Sequence, residues 1–198
     1  MDFDKAYTEY QIKQRGFFRR IARAYYLSAA SKLLSGPTID IGCGPGELLK
    51  RLPPGSIGFE INPTTVEYCR KMNLNVKLYK PEEDKFRLTE LSKGQYKSMI
   101  MSHVLEHLEN PHKVMNALLR TANRLELEKI VIIIPCRKGF GFDQTHNTFI
   151  DKNFFYQHGL VTQSNFTLSR MKYFPVNLKF FGNFFTHHEL HVIYEKKY

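Results

Sequence analysis

Five consecutive apolar residues, Ile130-Val131-Ile132-Ile133-Ile134, constrain this chain more than any other stretch. Successive side chains of a strand point to opposite faces, so an unbroken β-branched run describes a strand covered on both sides. Lys129–Cys136 therefore reads as a central strand of a layered structure. Thr38–Cys43, Ser56–Ile61, Asn75–Tyr79 and Lys97–Ser102 read as further strands. Between them lie helical stretches: Gly46–Leu52, a segment opened by Asn62-Pro63 with asparagine as cap, and the amphipathic Pro111–Leu127. Strands alternating with helices imply an α/β fold, a doubly wound and mostly parallel sheet with helices on both faces.

The two ends differ from this pattern. Residues 1–36 read as helical, with Phe17, Phe18, Ile21, Ala24, Tyr25 and Ser28 on one face. The opposite face carries Lys13, Arg15, Arg19, Arg20 and Arg23. Gly36-Pro37 ends that segment. In the last third, Phe166–Phe174 and Glu189–Lys196 read as strands with no helix between them, which suggests an antiparallel edge. The aromatic stretch Pro175–His188 joins them.

A chain of 198 residues with 42% hydrophobic content fits one domain. Its parts are an N-terminal helical segment (1–36), a core (37–160), and C-terminal strands with an aromatic lid (161–198). No apolar run approaches the ~20 residues of a membrane span. The N-terminus does not read as a signal peptide. Three scattered cysteines, Cys43, Cys69 and Cys136, suit reduced thiols in a cytoplasmic protein and give no zinc spacing. The formal net charge of +10 allows nucleic acid, anionic lipid or a phosphorylated small molecule as partner, and does not choose among them.

The chemistry begins at Asp40-Ile41-Gly42-Cys43-Gly44-Pro45-Gly46-Glu47, where a strand runs into a glycine-rich turn. That turn falls at the carboxyl edge of the sheet, where open α/β folds bind ligands. A dinucleotide fingerprint would read GxGxxG; here the spacing is GxGxG, with an aspartate two positions before the first glycine. A carboxylate there suits a cationic ligand group better than a pyrophosphate. A second acid, Glu60, ends the second strand, and can accept both ribose hydroxyls of a nucleoside.

These residues resemble the class I S-adenosylmethionine-dependent methyltransferases. Asp40 to Gly46 is similar to the family's first motif, and Glu60 falls where the family holds the ribose of S-adenosyl-L-methionine. Met101-Ser102-His103-Val104-Leu105-Glu106-His107-Leu108 looks like the segment after the fourth strand in the ubiquinone-biosynthesis and small-molecule subgroup. The resemblance covers roughly residues 36–160. It implies a Rossmann-like sheet of seven strands with the last antiparallel, and S-adenosyl-L-methionine as cofactor. It implies a cofactor site of Asp40, Gly42, Cys43, Gly44, Gly46, Glu60, Ile61, Ser102 and His103. The chain departs from the family in two places: Lys97 follows Tyr96 where an acid is usual, and no acid ends the third strand. Glu82 and Glu83 are the acids closest to the latter place.

Gly139–Ile150 contains Thr145-His146 and looks like the element small-molecule methyltransferases carry after their fifth strand. A short helix, Lys152–His158, follows. Because a sulfonium methyl is already electrophilic, alignment of the nucleophile is the main task. An oxygen nucleophile also sheds a proton, so His146 and then His103 are the candidate catalytic bases. His187, His188 and His191 read as aromatic packing, and no metal ligand set stands out. The expected acceptor is a small molecule. RNA or protein methylation and a non-catalytic cofactor-binding subunit are the alternatives. The basic N-terminal face is expected to meet an anionic membrane surface, which would make a cytoplasmic enzyme peripheral to the membrane.

Overall fold

The computed structural model describes residues 17–197, with side chains from residue 23 onward. Helix α1 (Phe17–Ser31) leads into β1 (Thr38–Ile41). A glycine-rich turn and one 3-10 turn at Leu49–Arg51 precede β2 (Ile57–Glu60), α2 (Pro63–Lys71), β3 (Val76–Leu78) and a single helical turn, α3 (Pro81–Asp84). Next come β4 (Ser98–Ser102), a 3-10 turn at Leu105–His107, α4 (Pro111–Arg124) and β5 (Lys129–Pro135). Then follow α5 (Arg137–Phe140), α6 (Lys152–Gln157), β6 (Thr162–Gln163), β7 (Phe166–Phe174), a 3-10 turn at Lys179–Asn183, and β8 (Glu189–Lys196).

All eight strands form one sheet in the order β3-β2-β1-β4-β5-β8-β7-β6. The pairings among β1, β2, β3, β4 and β5 are parallel. The last strand is antiparallel, as the sequence implies, but it is not an edge: β8 lies between β5 and β7 and opposes both. Its Leu190-His191-Val192-Ile193-Tyr194 is a second run buried on both faces, and such a run belongs inside a sheet. His191 is accommodated there by Glu189, 3.0 Å from its Nε2, and by stacking on Phe174. The eighth strand, absent from the sequence reading, is the two-residue β6. It pairs with β7 through Ser164-Asn165, both at positive φ as a tight hairpin turn requires.

Alternation along the strands builds two apolar layers. Ile39, Ile41, Met99, Met101, Ile130 and Ile132 pack with Met115, Leu118 and Leu119 of α4. Ile100, Val131, Ile133 and Ile193 point the other way, against Leu27, Ala30, Leu33, Leu34 and Leu48. Helix α1 thus turns Ala30 and the half-buried Leu27 to the sheet; Ala24 and Ser28 of the expected face are half-buried, and the side chains of Phe17, Phe18 and Ile21 lie outside the described residues. Tyr25 remains 55% exposed and stacks on Phe174 at 5.2 Å. Residues 1–16 of the expected helix, including Lys13 and Arg15, lie outside the described residues, as do the side chains of Arg19 and Arg20. Arg23 is described, and its guanidinium is paired with Glu47.

The expected Gly46–Leu52 helix is reduced to its 3-10 turn. Gly46 sits at φ 72°, outside helical space, and Pro53-Pro54 follow too soon for an α-helix to propagate. The α2 start is as expected: Asn62 Oδ1 accepts the Thr64 and Thr65 N–H groups at 2.9 and 3.3 Å, with Pro63 in the first turn. The three cysteines are free and buried. Among the described residues no helix is long and apolar enough to cross a membrane.

Ile132, fully buried on β5, tests the double layer. Ile132→Ala should cost about 2–5 kcal/mol in urea unfolding, because the covered strand cannot collapse around the lost methyl groups. Lys172→Ala, on the exposed part of β7, should stay within about 0.5 kcal/mol of wild type.

Candidate active site

The strand order reverses between β1 and β4, so the loops after β1 and β4 part to opposite sides and leave a crevice. A cavity of about 420 Å³ opens there, a volume suited to a small ligand. Its walls come from the turn after β1, the ends of β2 and β3, the segment after β4, and the loop after β5.

The glycine turn is shaped by two close approaches. Gly42 has φ 72°, and a Cβ on it would lie 2.3 Å from Val104 Cγ2. The Gly44 N–H donates to Glu60 Oε2 at 2.9 Å, and the Asn62 N–H donates to Glu60 Oε1 at 2.9 Å. Glu60 is therefore fixed by one bond on each oxygen while lining the cavity, and each oxygen retains a second acceptor position. Around it the wall is apolar: Phe59, Ile61, Tyr79, Pro81 and Phe86. Tyr79 donates its hydroxyl to Asp84 at 2.9 Å, and Asp84 also accepts the Leu88 N–H at 2.6 Å, which pins the loop carrying Phe86. Glu82 and Glu83 do not line the cavity; Glu83 is paired with Lys80 on the surface. Aromatic rings fill the place where the sequence offered only acids.

Gly42, Gly44, Glu60, Ile61 and His103 line the cavity. Asp40, Cys43, Gly46 and Ser102 stand behind the wall. Asp40 is 2% exposed, and its Oδ2 has no hydrogen-bond partner. Burial, reinforced by the charge of Glu60, raises its pKa from 3.8 to about 7. Burial likewise drives the Cys43 thiol far up, so it is an inert packing group beside Gly58.

The opposite wall is polar. His103, His107, Thr145 and Asn147 face the cavity beside Val104 and Leu108. His103 holds a left-handed φ of 54°, and its Nε2 lies 2.8 Å from Glu189 Oε1. Its surroundings oppose a charge on it, although 43% of the side chain is exposed; Glu106 and Glu189 outweigh that and lift its pKa to about 10. Burial opposes the charge of Glu189, yet the bonds from His103 and His191 hold it down at about 2. An imidazolium between two carboxylates is a poor proton acceptor, which weighs against His103 as base.

His146 does not line the cavity. Its Nδ1 lies 2.8 Å from the Phe140 carbonyl, and its ring stacks on Phe140 and meets the edge of His107. The Asn147 and Thr148 N–H groups donate to the Glu106 carbonyl at 2.9 and 3.0 Å, which stitches the Thr-His loop to the segment after β4. Fold closure thus puts His107, which the sequence reading does not rank among the candidate bases, at the wall beside His103 in place of His146. Glu106-His107 adjacency was visible in the sequence; the 39 residues separating His107 from His146 hid their contact.

A family model described as a methyltransferase domain matches residues 11–154. The chain belongs to the methyltransferase-domain family. It is similar to a SAM-dependent methyltransferase from Archaeoglobus fulgidus, with 19% identity, TM-score 0.67, and coverage of 98% of this chain and 100% of that one. Magnesium protoporphyrin IX methyltransferase from Synechocystis PCC 6803, with bound SAM, is 14% identical at TM-score 0.56, covering 89% of this chain and 77% of that one. The small RNA methyltransferase HEN1 shows 15% identity and TM-score 0.62 over 91% of this chain and 25% of its own. At these identities the likeness establishes the Rossmann-like methyltransferase fold. A sequence search of curated proteins gives no match.

Asp40 makes the unliganded methyltransferase pH-sensitive. Its folded pKa is raised, so the stability of its neutral form is fully present below pH 3.8 and is lost as pH rises through about 7. Asp40→Asn should remove that loss. The melting temperature of unliganded Asp40→Asn should exceed wild type at about pH 8 and converge with it near about pH 4.

Proposed function

We propose that this enzyme transfers the methyl group of S-adenosyl-L-methionine to an oxygen of a small acceptor seated against His103, His107, Thr145 and Asn147. Glu60 carries the reading: a buried acid at the end of β2, aimed by two backbone N–H groups, beside an apolar slot lined by Ile61, Tyr79 and Phe86. That pairing suits a nucleoside, with ribose hydroxyls donating to Glu60 and the base between apolar side chains. The donor, when bound, supplies an electrophilic sulfonium methyl. Gly42 and Gly44 admit its amino-acid end close to the backbone, and the unpartnered Asp40 balances its positive charge through the turn. Cys43 and Gly46 hold that turn in place by packing on Gly58 and Leu74, and Ser102 ends β4 beside the cavity-lining His103.

The acceptor half is the polar wall. His107 faces the acceptor there, and His146 positions it from behind through the ring contact and Glu106. The acceptor's proton leaves toward this group, which keeps a role for His146 without direct contact. The wall and the volume of the cavity favour a small acceptor over a polymer threaded through it.

Peripheral binding at an anionic, cytoplasmic membrane surface belongs to the same reading. Tyr25 and Tyr26 pack on Phe174, and the loop after β7 exposes Leu178, Phe180, Phe184 and Phe185. Exposed apolar side chains, in a chain whose sequence also offers Arg15, Arg19 and Arg20, suit an interfacial contact. Phe180→Ser with Phe184→Ser should reduce co-sedimentation with anionic vesicles several-fold, and neutral vesicles should bind little. Equal binding to both vesicle types would remove this part.

Calorimetry tests the donor. S-adenosyl-L-methionine should bind saturably, and Glu60→Ala should weaken it about tenfold or more, roughly the loss of one charge-assisted hydrogen bond, while Asp40→Ala should weaken it through the lost charge behind the turn. His146→Ala should leave donor affinity within about twofold and lower turnover by ~10²-fold, the lower range for proton-transfer assistance. Tight binding of a nicotinamide dinucleotide, with none of the methyl donor, would overturn the assignment.

A further inference from the structure

The strongest unexplained feature is Glu106. It is 1% exposed, and neither carboxylate oxygen has a hydrogen-bond partner. Buried carboxylates are ordinarily hydrogen-bonded, paired or bound to metal. The groups on its Oε1 side are histidines: His103 Nδ1 at 3.5 Å and His146 Nε2 at 3.8 Å. His103 spans two carboxylates, its Nε2 lying 2.8 Å from Glu189, so its contact with Glu106 is a longer ion pair through Nδ1. His107 completes the surroundings, and ligand-type atoms of Glu106, His107 and His146 all lie within 4.8 Å of one another.

We propose that Glu106, His107 and His146 form a binding site for one divalent first-row transition ion at the acceptor wall. Two imidazoles and one carboxylate are the donor set of zinc and related ions, whereas calcium and magnesium favour oxygen alone. An ion held at about 2.1 Å by each ligand needs ligand atoms roughly 3–3.5 Å apart, so rotation of the side chains by under about 1 Å closes the site. Both rings are oriented for the task. The His146 Nδ1–H donates to the Phe140 carbonyl at 2.8 Å, which leaves the Nε2 lone pair directed at Glu106. His107 Nδ1 lies 3.2 Å from the Thr145 carbonyl, so a proton on Nδ1 leaves Nε2 as the nitrogen with a free lone pair. Asp143 fixes Thr145 in turn, accepting from its N–H and its hydroxyl at 2.9 and 2.7 Å. Such outer hydrogen bonds set the tautomer and orientation of metal-binding histidines.

Three protein ligands leave coordination positions open, and His107, Thr145 and Asn147 line the cavity beside them. An acceptor hydroxyl could take such a position, which would orient its oxygen and lower its pKa. This catalytic role rests on the proposed methyl transfer; the ion site itself does not.

The full-length protein, freed of metal with chelator and dialysed, is titrated with Co2+. Formation of the site should give visible d–d absorption that saturates at one ion per chain and is displaced by Zn2+. Glu106→Gln and His107→Gln should each weaken Co2+ binding a hundredfold or more, while His158→Ala, away from the site, should not change it. Circular dichroism and S-adenosyl-L-methionine affinity are read on every variant. Retained fold and donor binding with lost Co2+ binding supports the site, and failure of donor binding alone strikes only the donor reading. A folded wild-type chain without saturable Co2+ or Zn2+ binding, or variants that bind like wild type, would overturn the proposal.

Discussion

Burial of β5 and β8 on both faces is the constraint from which the rest of the structure follows. A strand with apolar side chains on both sides needs a layer of packing above and below. Helix α4 supplies one layer, and α1 with the turn after β1 supplies the other. Parallel strands between such layers must be joined by crossovers, so each strand ends at the same edge as its neighbours. Loops that begin far apart in the chain, after residues 41, 60, 78, 102 and 135, therefore meet along one edge. The order reversal between β1 and β4 opens the crevice among them.

Three buried acids line or back that edge, and they are treated differently. Glu60 receives a backbone N–H on each oxygen and is held in one orientation. Asp40 and Glu106 carry oxygens with no hydrogen-bond partner. A folded domain tolerates few such groups, because a buried carboxylate without hydrogen bonds gives up much of its hydration; Glu106 has only long contacts, 3.5 Å to His103 and 3.8 Å to His146. They lie on two sides of one cavity, Asp40 behind the glycine turn and Glu106 behind the polar wall. The proposed reading gives each a cationic partner, a sulfonium donor for one and a metal ion for the other. Glu189 contrasts with Asp40: two histidines satisfy it, and its pKa falls where that of Asp40 rises.

Much of the fold was legible because its causes are local. The Asn62-Pro63 helix start depends on a side chain reaching N–H groups two and three residues away. The bounds of β7 and β8 followed from short apolar patterns. Where the reading failed, either a distant partner or a short local interruption decided. Helix α1 turned Leu27 and Ala30 inward because the sheet presents Ile100, Val131 and Ile133 there. The helix after Gly46 did not propagate, since a left-handed glycine and two prolines leave too few residues. The strand β6 is two residues long and carries no pattern at all.

The sequence by itself determined the parallel α/β sheet, the glycine turn and the acid at the end of β2. Those features rest on alternation, spacing and backbone freedom within one segment. Only the tertiary structure decided that β8 is inserted beside β5, that His146 sits behind His107, and that Glu106 is buried without a hydrogen bond. Each of these depends on which segments the sheet brings together, and contacts across tens of residues leave no periodic trace in the chain.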